Sequence, residues 1–191
     1  MKKALLLVSI LFVSVISTAC INNFAVQELN SKAKVYLEEG DYNAAIERLK
    51  SSIDLDDTIF ETHYNLAVAY TQAEDYANAM DAYKKAINID SNVPDSYYSL
   101  AVAEENLAVD LLNGAVRLNE EGHIYTPKAE DLENEESAYE PDEAVLNMIE
   151  SLKADALKNY KTYLEKAPAS DDAAEVKQKI KELETPVTEK N

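Results

Sequence analysis

The 191-residue chain repeats itself at an interval of 34 residues. Shifted by that interval, Tyr36 falls on Tyr70, Asp41 on Asp75, Tyr42 on Tyr76 and Ala45 on Ala79. Farther on, Ile53 meets Ile87, Leu55 meets Ile89 and Asp56 meets Asp90. Ala33 meets Ala67, Leu49 meets Tyr83 and Ser52 meets Ala86, so small residues fall on small and large on large. A fixed period of this length marks a supersecondary unit that cannot bury its apolar face alone and is stabilised by stacking on its neighbours. Apolar residues recur at helical spacing inside each unit, which predicts an all-α fold. Ala67, Ala79 and Ala86 let helix backbones approach where larger side chains would hold them apart. Tyr70 and Tyr83 fill the space between; at this spacing they read as core, not as an aromatic cofactor box.

The period and the residue types resemble the tetratricopeptide repeat, a helix–turn–helix unit. In residues 60–93 the pattern is carried by Leu66, Ala67, Tyr70, Ala79, Tyr83 and Ala86. Residues 26–59 carry Ala33, Tyr36, Gly40, Ala45 and Leu49, with Leu29 at the usual tryptophan position and Lys32 where leucine is expected. A third unit opens at Pro94 with Tyr97, Leu100 and Ala101. Asp57 and Ser91 replace the proline that usually closes a unit. The resemblance implies a short superhelix of about three units. Thr58-Ile59-Phe60-Glu61 reads as a capping box opening the second unit, and Pro94 suits a first helical turn.

The third unit is interrupted. Tyr97, Leu100, Ala101, Leu107, Ala108, Leu111, Leu112, Ala115 and Leu118 keep one helical stripe running. Val145, Met148, Ile149, Leu152, Ala156, Tyr160, Tyr163 and Leu164 form another. Ala156, Tyr160 and Pro168 match the missing second half-unit, so about 43 residues are inserted. Each helix gains about three turns, and the two equal extensions pack as an antiparallel hairpin. Residues 119–141, with eight acids and Lys128 as the only base, are expected as a solvated tip. Ser170 is expected to cap a final helix over Asp171–Leu183 with Ala174, Val176, Ile180 and Leu183 inward, giving the array a polar-backed end. The expected organisation is 1–19 leader, 20–25 linker, 26–93 two units, 94–168 the third unit with its hairpin, 169–184 capping helix and 185–191 disordered tail.

The leader has the layout of a secretory signal peptide: Lys2 and Lys3, a 13-residue apolar run from Ala4 to Ile16, then small residues before Cys20. The run is short for a membrane span, which needs about 20 residues. Cys20 is the only cysteine, so no intramolecular disulfide forms. Its position after Ala19 resembles the lipobox of bacterial lipoproteins, although Ser17 stands where leucine is usual. The resemblance implies acylation of Cys20 (palmitate among the acyl groups), cleavage before it and anchoring to the envelope. The alternative is a free N-terminal thiol after ordinary cleavage. Ile21 is not the aspartate that marks inner-membrane retention, which implies the outer membrane facing the periplasm in a Gram-negative host.

Acidic residues number 36 against 18 basic, for a net charge of −18. Such a chain has no charge-based affinity for nucleic acid or an anionic lipid surface. Three glycines exclude glycine-rich phosphate loops, and argue against a turn-rich β protein. Two histidines and one cysteine cannot write a zinc motif. No nucleophile elbow is present, and residues 130–136 lack the central glycine of an EF-hand loop, so no catalytic site, metal or cofactor is expected.

The remaining candidate is a groove. In the family it resembles, the first helix of each unit lines a concave face that holds a peptide or a partner's helix. Carried over by position, this face comprises Gln27, Asn30 and Lys34; Glu61, Tyr64, Asn65, Val68 and Gln72; and Asp95, Tyr98, Val102 and Glu105. Tyr64 and Tyr98 are the expected anchors. Family members that grip acidic tails use a basic clamp; here Asn65 is in place, but Asp95 and Ser99 stand where the bases belong. The expected partner is therefore a protein or peptide with a neutral or basic surface, held by a lipid-anchored adaptor. A second reading is an accessory ligand-binding subunit of a transporter, which an apolar pocket with converging polar groups would favour.

Overall fold

The computed structural model describes residues 23–130 and 138–185. The leader, Cys20, residues 131–137 of the tip and the tail from 186 lie outside the described residues. Helix α1 covers 23–39 within that range, so the linker expected over 20–25 is helical from Asn23 onward, with Val26 already buried. It is followed by α2 (Tyr42–Leu55), α3 (Phe60–Gln72), α4 (Tyr76–Ile89) and α5 (Pro94–Asn113). A two-stranded hairpin, β1 (Arg117–Leu118) and β2 (Ile124–Tyr125), precedes α6 (Glu143–Lys166) and α7 (Ala173–Glu184). The α-helical superhelix of stacked pairs is the expected fold.

The repeat extends to the caps. Asp41 and Asp75, one period apart, accept from the backbone N–H groups of Ala44 and Asn78 at 3.0 and 3.3 Å and so start α2 and α4. Asp56 and Asp90 accept from the N–H groups of Thr58 and Asn92 at 3.0 and 2.9 Å, turning the chain between units. This corrects the capping box at Thr58. Its hydroxyl donates to Asp56 at 2.6 Å, and α3 begins after Ile59 with no side-chain cap. Gly40 ends α1 at φ 78°, and its repeat mate Glu74 takes φ 59° between α3 and α4. A left-handed non-glycine residue costs about 1 kcal/mol.

Ala45, Ala67, Ala79 and Ala86 are 0% exposed, and Leu49, Tyr70 and Tyr83 fill the space around them. This core runs on through Leu100, Leu107 and Leu111 of α5 to Val145, Ile149 and Leu152 of α6. A second cluster joins Ala101, Ala156, Tyr160, Tyr163 and Val176 where α7 closes the stack.

From the third unit onward the chain departs from expectation in three ways. Helix α5 is 20 residues against 13 for α3, two turns longer and not three, whereas α6 gains nearly three turns over α4. The extensions are unequal because Gly114 stops α5 in a left-handed cap at φ 75°. A Cβ there would also stand 2.6 Å from the Tyr139 ring, whose hydroxyl donates to the Leu111 carbonyl at 3.0 Å and whose face carries the Arg117 guanidinium. Second, Ala115 and Leu118 leave the helix. Leu118 pairs with Ile124 and Arg117 with Tyr125 in an antiparallel register, and Leu118, Ile124 and Val116 pack on the core. The first part of the tip is thus structured, with Asn119 accepting from the N–H groups of Glu121 and His123. Third, α7 starts two residues later than expected. Asp172 is its N-cap position, Ser170 offers only its carbonyl to Ala173 N–H at 3.1 Å, and Ala173, not Ala174, is buried.

Candidate functional site

The face read from the sequence divides into three groups. The first helices of two units, α1 and α3, leave a cavity of about 520 Å³ between them. Lys34, Leu37, Glu38 and Tyr42 line one side; Asn65, Val68 and Gln72 line the other. Four predicted residues, Lys34, Asn65, Val68 and Gln72, therefore converge. One ammonium and one carboxylate sit over an apolar floor of Leu37 and Val68, with two amides beside them. This set suits the side chain and backbone of a peptide: Asn65 and Gln72 offer donors and acceptors, and the floor takes an apolar group.

The second group lies at the junctions between units. Asn30, Tyr64 and Tyr98 occupy one repeat position; Asn30 and Tyr64 reach toward the next unit, and Tyr98 toward the second helix of its own unit and the capping helix. The Asn30 amide donates to the Ser52 and Thr62 hydroxyls at 2.8 and 3.1 Å. Tyr64 stacks on Phe60, meets Tyr83 edge-on at 5.7 Å and lies 3.4 Å from the Ser99 hydroxyl. Tyr98 packs between Tyr160 and Tyr163, with ring centroids 5.8 and 5.4 Å away. Both tyrosines are half-buried, so much of each ring packs against neighbouring helices. Val102 packs against the same closing cluster as Tyr98. Glu105 accepts from the Tyr160 hydroxyl and pairs with Lys179 of α7 at 3.4 Å. Burial raises the Tyr160 phenol above its ordinary pKa, and the adjacent Glu105 carboxylate raises it further. The third-unit part of the face is thus engaged by α6 and α7. The third group, Gln27, Glu61 and Asp95, is exposed at first turns or the helix surface.

Sequence reasoning missed Leu37, Glu38 and Tyr42. The period itself points to two of them: 34 residues before Gln72 is Glu38, and Leu37 continues the 27, 30, 34 stripe. It also missed Glu104, which is 1% exposed between α5 and α6. The Asn159 amide donates to it at 2.8 Å, and burial pushes its carboxyl up to about 7. Beneath the β-hairpin a second cavity of about 730 Å³ carries Glu74, Asp75, Asp81 and Asp110 beside Tyr76 and Tyr125. Among the described residues no group of three His, Cys, Asp or Glu side chains is placed to hold a metal ion.

Known proteins match this chain in two ways. Residues 33–73 match a model described as TPR repeat, and residues 60–93 match one described as tetratricopeptide repeat, so residues 33–93 carry tetratricopeptide repeats. Similar solved structures include the first TPR domain of Spaghetti (RPAP3) bound to the HSP90 peptide SRMEEVD, at 17% identity and TM-score 0.57, over 85% of this chain and 95% of that one. The second TPR domain of human RPAP3 in complex with an HSP70 peptide is 14% identical, TM-score 0.58, over 86% and 99%. The TPR domain of Arabidopsis OM64 is 15% identical, TM-score 0.57, over 85% and 97%. At these identities the likeness establishes the fold. No curated protein sequence matches the chain.

Proposed function

We propose that this chain is an adaptor, tethered to the bacterial envelope through a lipid on Cys20, that holds a peptide segment of another protein across α1 and α3. The observation that carries the reading is the convergence of Lys34, Asn65, Val68 and Gln72, with Leu37, on one cavity of the inner helices. Solved neighbours of the same fold are described as complexes with HSP90 and HSP70 peptides, which supports a peptide as the occupant. The peptide differs from theirs in charge. The chain is at −18, and Asp95 and Ser99 hold the positions at which a basic clamp would grip an acidic tail. A neutral or basic segment fits, and its approach is steered by long-range attraction that weakens as salt rises.

The tether is tested separately from the groove. Cys20→Ser and the unaltered chain are expressed in a bacterial host with radiolabelled palmitate. The unaltered chain takes up label and fractionates with membranes; the variant takes up none and is released. An unlabelled unaltered chain overturns the lipid anchor and leaves the groove reading standing.

A further inference from the structure

The capping helix is shorter than the hairpin it covers. With 12 residues α7 spans about 18 Å, whereas the 24 residues of α6 span about 36 Å. On α5, Tyr98, Val102, Glu105, Val109 and Leu112 follow one another at spacings of three and four, so they share one face. The first three are engaged at the α7 end: Tyr98 and Val102 in the cluster that contains Val176 and Ile180, and Glu105 by Lys179. The next two are bare, Val109 at 52% and Leu112 at 49% exposure. On α6, Leu146, Lys153, Leu157 and Leu164 recur at spacings of seven and four and also share a face. Leu164 packs in the closing cluster, while Leu146 is 46% exposed. Three large apolar side chains therefore continue, past the end of α7, the surface that α7 covers.

We propose that this uncovered half-face is a second docking surface, and that its occupant is an amphipathic helix of another protein with lysine or arginine along one edge. A helix is the shape that fits, because α7 itself shows how a helix lies over this pair. The charge follows from the rim. Glu143 and Glu150 are exposed on α6 beside the Leu146 stripe, and α7 ends in Glu182 and Glu184. Lys153 and Lys161 neutralise Glu150 and Glu184, at 3.4 and 2.7 Å, so the negative charge of the rim rests on Glu143 and Glu182. A second copy of the chain would set these acids against their own kind, each copy at −18. Basic flanks on a partner helix complement them and leave its apolar stripe on Val109, Leu112 and Leu146. The surface is separate from the cavity between α1 and α3, and the proposal does not depend on it.

The test uses the full chain and a synthetic amphipathic peptide of about 18 residues with a leucine stripe edged by lysines, followed by fluorescence anisotropy. A scrambled peptide of the same composition is the charge control. The ordered peptide binds at least tenfold more tightly than the scrambled one. The double variant Val109→Ser, Leu112→Ser weakens it at least tenfold, and Asn43→Ser on the exposed side of α2, away from both surfaces, leaves it unchanged. Should the double variant lose helical signal in circular dichroism, Leu146→Ser alone is expected to weaken binding severalfold. Equal binding of the scrambled peptide overturns the proposal, as does a loss produced by Val68→Ser in the inner cavity and not by the α5 and α6 variants. Sedimentation showing a dimer that the double variant dissociates would assign the face to a second copy and likewise overturn it.

Discussion

Replacing Glu104 by Gln should make the protein more stable above neutrality and change it little in mild acid. Glu104 is 1% exposed, and its one hydrogen-bond partner among the described contacts is the Asn159 amide. Burial disfavours its charge and Asp155 of α6 adds to that; the Asn159 hydrogen bond, Lys84 of α4 and Lys158 of α6 favour the charge but do not offset burial. The carboxyl is thereby raised from 4.5 to about 7. A carboxyl with a higher pKa folded than unfolded binds more protons in the folded state between the two values. Its contribution is therefore fully present below about pH 4.5 and is lost as pH rises through about 7. At about 1.4 kcal/mol per unit, the shift sets a ceiling of about 3 kcal/mol. Glutamine keeps an oxygen for the Asn159 amide and carries no charge. Urea denaturation of both proteins at pH 5, 7 and 8.5 reads the difference, since all other titrating groups are shared. The variant should gain on the unaltered protein by up to about 3 kcal/mol from pH 5 to 8.5. Parallel pH profiles would refute a buried carboxyl whose partners do not offset its burial.

Two further substitutions test the packing. Ala67→Leu and Ala79→Leu, both at 0% exposure, should each destabilise by roughly 1–3 kcal/mol in chemical denaturation, while Ala154→Leu on the exposed side of α6 stays near neutral. Ala77 packs at the edge of the core and is a poorer control. Gly114→Ala meets both a φ of 75° and the Tyr139 ring at 2.6 Å, so the melting temperature should fall by an amount equivalent to about 2 kcal/mol or more.

The 34-residue period made the stacked pairs legible, because identical caps and small-on-small contacts recur with it. Local signals failed where a nearer partner intervened. Thr58 was drawn to Asp56 instead of to α3, and Gly114 plus Tyr139 stopped a stripe whose apolar period runs on to Leu118. Leu118 and Ile124 lie on a strand pair too short for a period to announce. The site was legible as a face but not as a cavity. Whether a residue on that face is open depends on which helix comes next in space. The same repeat position puts Asn30 and Tyr64 into unit junctions and Tyr98 against α6 and the capping helix, and α7 engages Glu105. For Glu104 the signal is its spacing: Leu100, Glu104, Leu107 and Leu111 follow at four, three and four residues, which puts it on the apolar stripe of α5.

The most direct measurement places a photo-crosslinking amino acid in the full chain at Val68, at the floor of the inner cavity, or at exposed Lys85 on α4, and irradiates intact host cells. Held in the groove, a partner segment is captured covalently from position 68 and not from position 85, and peptide mapping finds a contiguous neutral or basic stretch. Capture from position 85 with none from position 68, in variants that keep their helical content, would contradict binding between α1 and α3.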